Sequence, residues 1–348
     1  LVMFRPALDA LFARCNDEQT QHVQRLVWTR MGFSHIPEKF KHQLPCQQPS
    51  SFSAKHELFS KEHLQLSHKI DGTRAFVVSV FDATQMQQKL FAVGRDMKVF
   101  TMLTLHNLEK PTQDVILDVE FVYEYQKERK ILKLYLFDAP FFHGVNQMKT
   151  PLHVRQQFMA ENKAMFAGSW FSVIKIRMVM KAWFDVDAWV SKNKWRGCTA
   201  IFDGIIIHHK MAPYTIGRSP HELRVKFHET IDVMYEGPQN IYMWSKGTTV
   251  NVSNRVCCIG MENMKRGVWE MNVVNVEGGQ NSLSILYCEP NVFRSDKREP
   301  NDVSILTPFF KGQVITLAQF ASLLQGLAAL TCCSSAHTAL PPPPLPAQ

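Results

Sequence analysis

The spacing of apolar positions changes along the first half of the chain and predicts two kinds of segment. Residues 6–31 carry apolar positions at helical spacing, which predicts one or two N-terminal helices. Residues 44–53 are rich in Pro, Gln and Ser, which breaks any helix and predicts an extended segment. Short runs rich in β-branched and aromatic residues then predict the strands of a mostly antiparallel sheet, at residues 74–81, 89–93, 115–123 and 131–137.

The second half of the chain predicts helices first and a smaller all-β region afterwards. Helical patterns cover residues 151–167 and 185–193, and residues 199–208 predict a buried strand. After residue 232, Gly and Asn turns separate short strands as in a small β-barrel, at residues 248–259, 267–276 and 282–288. Apolar positions within residues 314–330 have a helical period and predict a core or docking helix.

These patterns predict an α+β protein with two domains. We place the first domain at residues 1–233 and the second at residues 234–330. The end of the chain, residues 331–348, holds four consecutive prolines, so we expect polyproline II or disorder there.

Composition narrows the classes of protein that remain. The chain has 348 residues, of which 45% are hydrophobic and 20% charged, and this excludes collagen, coiled coils and wholly disordered chains. No uncharged stretch predicts a membrane span. The net charge of +8 favours polyanionic partners such as nucleotides or nucleic acid. The eight cysteines include no CxxC pair, so we expect reduced thiols in an intracellular protein. Because the first residue is Leu1, we expect the chain to be a piece of a longer protein.

A lysine beside a glycine turn is the first candidate for chemistry. It lies in the sequence Lys69-Ile70-Asp71-Gly72-Thr73-Arg74, between two predicted strands. A lysine held in a pocket beside another cation can attack a phosphorus atom as a neutral amine. On this hexapeptide alone, a turn of solvated charges is the more frequent interpretation.

Carboxylates at the predicted strand edges are the second candidate. They are Asp118, Glu120, Asp138 and Asp203. Such groups can bind Mg²⁺ or Mn²⁺ and can hydrogen-bond a ribose. Further along, strand alternation places Arg224 and Lys226 on one face, where they could grip successive phosphates or simply be solvated.

In this order, the segments resemble the covalent nucleotidyltransferase superfamily of polynucleotide ligases and messenger-RNA capping guanylyltransferases. The capping guanylyltransferases are the better match, because residues 44–52 resemble the family's FPGxQPVSF segment and residues 92–96 lie where the family has its IDR strand. Residues 213–232 resemble the run PY…G…LKWK…TIDF, and residues 294–301 resemble RTDKxxPN. The resemblance implies a nucleotidyltransferase domain, similar to ATP-grasp folds with antiparallel sheets and flanking helices, followed by an OB-fold β-barrel.

The resemblance also implies a role for each matching residue. Lys69 would attack the α-phosphate of GTP and form a lysyl-GMP intermediate. Phe137, or alternatively Tyr135, would lie against the guanine, and Asp203 would help to bind Mg²⁺ or Mn²⁺. The remaining matches would contact ribose and phosphates: Arg74, Arg95 and Glu120 at both the ribose and the phosphates, Arg224 and Lys226 at the α-phosphate, and Arg294, Asp296 and Lys297 at the β- and γ-phosphates as the second domain closes.

Four positions depart from the family's motifs. Val119 replaces the usual glycine of the third motif, Val225 replaces the tryptophan of LKWK, and Val233 replaces the phenylalanine of TIDF. Val292 stands where the sixth motif often has an arginine. We therefore keep two alternatives to a GTP:RNA guanylyltransferase: an ATP-dependent polynucleotide ligase, and a catalytically inactive scaffold that binds RNA or polymerase.

The resemblance finally implies partners and a location. The acceptor would be the 5′-diphosphate end of RNA, with an RNA triphosphatase and the RNA polymerase II C-terminal tail as further partners and no membrane. The implied location is the nucleus, or the cytoplasm for a viral protein. The chain shows no HCxxxxxR phosphatase loop and no glycine-rich methyltransferase loop, so other sequences would supply those steps.

Overall fold

The structure, a computed structural model, forms two compact units. It describes residues 3–52, 60–106, 114–126, 129–191, 202–226, 229–237, 240–261, 264–277, 284–295, 297–311, 314 and 320–327. The first unit comprises Leu1–Ser50, Phe59–Arg224 and Leu324–Gln348, and the second comprises Ser51–Leu58 and Val225–Leu323.

The first unit contains most of the helices and two of the sheets. Its strands up to residue 146 are β1 (Met3–Phe4), β2 (Ala13–Arg14), β3 (Gln47–Ser51), β4 (Leu64–Ile70), β5 (Thr73–Asp82), β6 (Gln87–Gly94), β7 (Val99–Leu105), β8 (Val115–Gln126), β9 (Arg129–Phe142) and β10 (Val145–Asn146). They are followed by β11 (Arg177–Met180), β12 (Trp183–Phe184), β13 (Phe202–His209) and β14 (Gly217–Lys226). The α-helices are α1 (Asp17–Arg30), α2 (Leu152–Glu161), α3 (Lys163–Met165) and α4 (Val186–Ser191), with a π-helical turn at Phe166–Phe171 and 3₁₀ turns at Leu8–Ala10, Glu38–Phe40 and Lys61–His63.

Within the described residues, the larger sheet has nine strands and is buried on both faces. Its main order is β10-β9-β8-β5-β6-β7-β2, with antiparallel pairing throughout, while β11 joins β9 in parallel. Side chains alternate along β5, so Ala75 and Val77 pack in the core that includes α2 residues. Phe76 and Val78 pack on the opposite face, in the core that includes α1 residues. Because both faces are covered, the strand is a continuous apolar run.

The smaller sheet of the first unit positions the candidate nucleophile. Its order is β12-β4-β13-β14-β3, so β4 lies between β12 and β13. The turn at residues 71 and 72 leads from β4 into β5 of the larger sheet. Lys69 therefore lies where the chain passes from one sheet to the other.

The second unit is built on one sheet. Its strands are β15 (Thr230–Tyr235), β16 (Ile241–Ser245), β17 (Thr248–Asn251), β18 (Val256–Cys258), β19 (Gly267–Glu277) and β20 (Ile285–Phe293), followed by a 3₁₀ turn at Val303–Ile305 and by α5 (Leu306–Phe310). The order is β17-β16-β15-β19-β20-β18, antiparallel except for β18 with β20. Residues 320–327 are helical, as predicted, whereas Val314, where the predicted helix at 314–330 begins, forms a β-bridge instead. The tail at 331–348 lies outside the described residues.

The strand predictions of the first half are confirmed, and three other predictions need correction. Residues 6–14 form a 3₁₀ turn and a short strand, so only Asp17–Arg30 of the predicted N-terminal helices is α-helical. The β8 and β9 strands continue to Gln126 and Phe142, which places Asp118, Glu120 and Asp138 within strands instead of at their ends. The cause is the β-forming residues that follow each acid, since both strands keep pairing there.

The third correction concerns the boundary between the two regions. We predicted that the first domain runs to residue 233, whereas the units divide between Arg224 and Val225. Strand β15 pairs with β16 and β19 of the second sheet, so residues 230–233 belong to the second unit. The end of the helix at 320–327 also differs, because Leu324 onward is grouped with the first unit.

Candidate active site

The candidate nucleophile Lys69 is paired with Asp203 on the neighbouring strand. The ammonium Nζ of Lys69 donates to both carboxylate oxygens of Asp203, at 2.6 Å and 2.5 Å. Strand register places Lys69 opposite Gly204, and a bulge between Phe202 and Gly204 leaves Asp203 as the extra residue. Such a bulge re-aims a side chain, here towards the lysine. Both side chains remain accessible, at 19% and 36% exposure.

Gly72 packs so closely against β8 that no side chain fits. A Cβ there would lie 2.5 Å from the carbonyl oxygen of Phe121 and 2.8 Å from Cγ of Glu120. The amide of Gly72 donates to Oε1 of Glu120 at 2.7 Å. Burial raises the pKa of Glu120, an effect that the charge of Arg74 opposes. The glycine of the KxDG sequence therefore allows the turn after the nucleophile to sit directly on Glu120.

Arg74 lies in a buried network with Asp118 and Tyr214. Its guanidinium donates to Asp118 at 2.9 Å and 2.7 Å, and the hydroxyl of Tyr214 donates to the same carboxylate at 2.6 Å. Burial disfavours the charged form of Arg74, but Asp118 outweighs it and raises the Arg74 pKa well above its usual value. Asp118 is fully buried. Its role is therefore to hold Arg74, and the sequence pattern alone did not reveal this pairing.

Phe137 lies in a small aromatic and aliphatic cluster next to the nucleophile strand. The cluster comprises Ile70, Val122, Tyr135 and Phe137, with Val179 and Phe202 packed against it. The guanidinium carbon of Arg74 lies 5.4 Å from the Phe137 ring centroid. An apolar pocket wall of this kind suits the flat face of a purine.

Lys181, which the sequence analysis did not single out, lies against the same ring. Its Nζ is 4.4 Å from the Phe137 centroid and 5.2 Å from that of Trp183. Burial lowers the pKa of Lys181 to about 8. The available signal was one charged residue inside the apolar run 178–184. A buried ammonium is costly, so such a residue is a candidate for function.

Three polar side chains, of which Ser67 and His208 are buried and Glu222 is partly buried, form a triad across β4, β13 and β14. Nε2 of His208 lies 2.8 Å from Oγ of Ser67, and Nδ1 of His208 lies 2.8 Å from Oε1 of Glu222. Burial lowers the pKa of His208. His208 is buried whereas His209 is partly exposed, which confirms that the neighbours face opposite sides of β13. This triad ties β4, β13 and β14 together.

Arg95 lies just beyond β6 and is exposed. Together with Arg74 it lines a cavity of about 480 Å³ in the first unit. Glu120 reaches this region through its bond to Gly72, which also lines the cavity. The structure thus brings the three predicted ribose contacts to one place.

Arg224 and Lys226 occupy alternate positions on β14. The burial pattern of β14 confirms the predicted alternation, since Leu223 and Val225 are buried while Arg224 and Lys226 are partly exposed. Nζ of Lys226 donates to Oγ1 of Thr230 at 3.3 Å. Both cations thus share one face of the strand.

The predicted sixth-motif residues gather around Asp232 in the second unit. Arg294 donates to Asp232 and to Glu270, each at 3.4 Å, and Lys297 forms an ion pair with Asp232. The amide of Asp232 donates to Oδ1 of Asn301 at 2.6 Å. The TID and RSDKxxPN-like sequences, distant in the chain, therefore form one cluster. Asp296 lies outside the described residues.

The departures from the family's motifs fall on buried strand positions in three of the four cases. Val119, Val225 and Val233 are buried apolar residues of β8, β14 and β15. Valine suits such positions. Val292 is exposed on β20, where an arginine would also fit.

The donor set fits a divalent cation that is bound together with a nucleotide. Among the described residues no group of three or more His, Cys, Asp or Glu side chains is arranged to hold a metal ion. Asp118 and Asp138 are engaged by Arg74 and Arg155. Asp203 is accessible, and Mg²⁺ is commonly held by one or two carboxylates plus substrate phosphates. Asp203 is thus the predicted metal ligand that fits.

Two of the solved structures with partial similarity to this chain are DNA ligases. A mycobacterial DNA ligase D complexed with ATP and MES is 13% identical, with 74% of this chain and 97% of that chain covered and a TM-score of 0.45. The ATP-dependent DNA ligase from bacteriophage T7 in complex with ATP is 12% identical, with 72% and 98% covered and a TM-score of 0.41. Similarities this low assign no activity. A comparison with curated protein sequences gave no match.

The family comparison gives the class of the protein. It is a covalent nucleotidyltransferase, with mostly antiparallel sheets plus helices. The sequence model described as "mRNA capping enzyme, catalytic domain" matches residues 13–228, which is more than half of the chain. The chain therefore belongs to the mRNA capping enzyme catalytic domain family. No helix within the described ranges is long and apolar enough to cross a membrane.

Proposed function

We propose that this protein is an mRNA guanylyltransferase that moves GMP from GTP to the 5′-diphosphate end of RNA through a covalent Lys69–GMP intermediate. The observation that carries the proposal is the accessible Lys69–Asp203 pair at the junction of the two sheets, beside the apolar cluster around Phe137. Family membership supplies the reaction class.

In the first transfer, Nζ of Lys69 forms a bond to the α-phosphorus of GTP, and the bond from that phosphorus to the β-phosphate oxygen breaks. Pyrophosphate leaves with the electron pair of the broken bond. Asp203, which already accepts hydrogen bonds from Nζ, is placed to take a proton from the ammonium. Arg224 and Lys226 lie on one strand face and would stabilise the charge on the α-phosphate.

In the second transfer, a terminal phosphate oxygen of the RNA attacks the same phosphorus. The phosphorus–nitrogen bond breaks, and Lys69 leaves as an amine that regains a proton. A divalent cation, Mg²⁺ or Mn²⁺, held by Asp203 and phosphate oxygens would neutralise negative charge during this chemistry.

Lys181 supports GTP over ATP as the nucleotide donor. Guanine presents the acceptor O6 where adenine presents the donor N6. An ammonium can only donate, so Lys181 beside Phe137 would favour guanine and leave adenine unpaired. This is the structural reason to prefer a guanylyltransferase over an ATP-dependent ligase.

We extend the proposal to the second unit and to the partners. Its small, mostly antiparallel sheet would be an OB-fold whose Arg294 and Lys297 contact the β- and γ-phosphates when it closes over the nucleotide. An RNA triphosphatase would supply the 5′-diphosphate, and the polymerase II tail would recruit the protein in the nucleus, or in the cytoplasm for a viral enzyme.

The proposal is tested by incubation with GTP or ATP labelled at the α-phosphate, with Mg²⁺ or Mn²⁺, followed by denaturing electrophoresis. We expect label from GTP on the natural chain and none on Lys69→Ala. Label from ATP alone would make the protein a ligase, and no label from either nucleotide would favour a binding scaffold.

A further inference from the structure

The cavity beside the turn that follows Lys69 has one wall formed by residues outside the nucleotide-binding motifs. Its volume is about 480 Å³, and it lies entirely within the first unit. One side is the turn from Gly72 to Arg74, and another is formed by residues 94–100 around the β6–β7 connection. The third side is the N-terminal segment, residues 5–14, most of which precedes the part matched by the capping-enzyme family.

Direct contacts fix this N-terminal segment against the nucleophile turn. Oγ1 of Thr73 donates to the carbonyl oxygen of Pro6 at 2.6 Å, and Arg5 forms an ion pair with Asp71. At the other end, Arg14 on β2 lies opposite Phe100 on β7. The wall is therefore held at both ends by the sheet and by the turn.

The cavity is lined by more cations than acids, and two of its cations form no side-chain hydrogen bond or ion pair with the residues that the structure describes. Five basic residues line it: Arg5, Arg14, Arg74, Arg95 and Lys98. Three of them are neutralised by carboxylates, in the pairs Arg5–Asp71, Arg74–Asp118 and Lys98–Asp96. Within the part of the chain that the structure describes, neither Arg14 nor Arg95 has a side-chain hydrogen bond or ion pair. A guanidinium fork that is free inside a cavity suits a phosphate group.

The charge of this wall interacts with Asp203, the carboxylate partner of the nucleophile. Burial opposes the charge of Arg5, but Asp71, Glu120 and Asp203 raise the Arg5 pKa. The last of these carboxylates is the partner of Lys69. An anion bound in the cavity would thus lie within electrostatic range of the lysine that carries the GMP.

Two diphosphate groups need a site near Lys69 in the proposed reaction. They are the β- and γ-phosphates of GTP in the first transfer and the 5′-terminal diphosphate of the RNA in the second. The β- and γ-phosphates of GTP have Arg294 and Lys297 of the second unit, which the acceptor cannot use once that unit opens. The acceptor needs cations on the same unit as Lys69, and the residues that line the cavity supply them. We propose, resting on the proposed function, that the cavity lined by Arg14 binds the 5′-terminal diphosphate of the acceptor RNA.

The test is equilibrium binding of two RNA oligonucleotides with one sequence, one ending in a 5′-diphosphate and the other in a 5′-hydroxyl. Fluorescence anisotropy on the full chain measures both, over a range of salt concentrations. The variants are Arg14→Ala and Arg14→Lys, and the control is Arg25→Ala, which removes an exposed arginine of α1 that does not line the cavity.

We expect the natural chain and Arg25→Ala to prefer the diphosphate RNA equally. Arg14→Ala should bind the diphosphate RNA about tenfold more weakly and the hydroxyl RNA unchanged, and Arg14→Lys should restore part of the loss. The slope of the logarithm of the affinity for diphosphate RNA against the logarithm of the salt concentration should become shallower by about 0.7, because one phosphate contact is lost. Equal binding of both RNAs by the natural chain, or equal effects of Arg14→Ala and Arg25→Ala, would overturn the inference.

A second readout shows whether the cavity binds the acceptor RNA or GTP. It also distinguishes failure of this inference from failure of the proposed function. Formation of labelled lysyl-GMP by Arg14→Ala should match that of the natural chain, while GMP transfer to RNA requires about tenfold more RNA for half-maximal rate. Loss of lysyl-GMP formation in this variant would assign the cavity to GTP and contradict the inference. If the natural chain forms no lysyl-GMP, the proposed function fails, and the binding measurement still decides the cavity's ligand.

Discussion

Two carboxylate–cation pairs of the first unit have similar geometry and different surroundings. In one, Asp203 accepts from Lys69 at 2.5 Å where both side chains are partly exposed. In the other, Asp138 accepts from Arg155 at 2.7 Å, with the two side chains only 8% and 1% exposed. Short ion-pair distances therefore do not identify a reactive site. Accessibility separates the pair that can meet a substrate from the pair that holds α2 on the sheet.

Asp138→Asn, in the buried pair, is expected to have the largest effect on the free energy of unfolding. The change leaves the guanidinium of Arg155 buried without a countercharge, which costs about 3–5 kcal/mol of the free energy of unfolding. Urea denaturation measures this loss. Lysyl-GMP formation per folded molecule should be unchanged. A stable variant with impaired labelling would make Asp138 a functional residue and break the comparison.

Asp203→Asn should show the opposite behaviour. Loss of the carboxylate that accepts from Lys69 should slow lysyl-GMP formation about 100-fold. Because the pair is partly exposed, the free energy of unfolding should change by about 1 kcal/mol or less. Single-turnover labelling and urea denaturation on one preparation measure both. Unchanged labelling would show that accessibility does not identify the reactive carboxylate.

Gly72→Ala tests the turn that leads from β4, which carries Lys69, into β5 of the larger sheet. The added Cβ would collide with the backbone of β8, so the free energy of unfolding should fall by about 1–3 kcal/mol. The displaced turn should also weaken labelling, since Gly72 follows the nucleophile closely. Gly144→Ala is the contrasting variant, because a Cβ there meets no atom within 4 Å and only its left-handed φ of 71° is strained. Equal labelling by both variants would show that the close contact with β8 is unimportant.

Lys181→Met is expected to stabilise the chain, unlike the three preceding changes. The pKa of Lys181 is about 8 in the folded chain against an ordinary value of 10.5, so the unfolded chain binds more protons between those values. Stability of the natural chain should therefore rise with pH across that interval. The variant lacks this rise, so its gain should be about 3 kcal/mol below pH 8 and vanish above pH 10.5.

The same variant tests the base contact. Discrimination for GTP over ATP in labelling should fall about 10- to 100-fold in Lys181→Met. A variant that is more stable yet equally selective would show that Lys181 does not contact the base. Chemical denaturation at several pH values and paired labelling reactions give the two readouts.

Strand positions could be predicted from sequence because they are local, whereas Lys69 was selected by the ordered motifs of the family resemblance and stays a prediction. Runs of β-branched residues determine β5 and β8. The alternation of Arg224 and Lys226 follows from strand geometry alone. These features depend on neighbours in the chain.

The assignment of the carboxylates could not be predicted because their partners are remote. Asp118 is held by Arg74 and by Tyr214, which is 96 residues away, and Asp138 is held by an arginine of α2. Asp203 is aimed at Lys69 by a bulge whose register only the paired strands define. Sequence pattern therefore marks acids near strands and does not say which one stays accessible.

Lys69 is proposed to carry the nucleotide, and the decisive measurement is to locate the GMP adduct on the chain. The natural chain would be incubated with α-labelled GTP and a divalent cation, digested under conditions that preserve a phosphoramidate, and analysed by mass spectrometry. We expect GMP on Lys69 of the natural chain and no adduct in Lys69→Ala. GMP on another lysine, such as Lys181, or label that persists in Lys69→Ala, would contradict it.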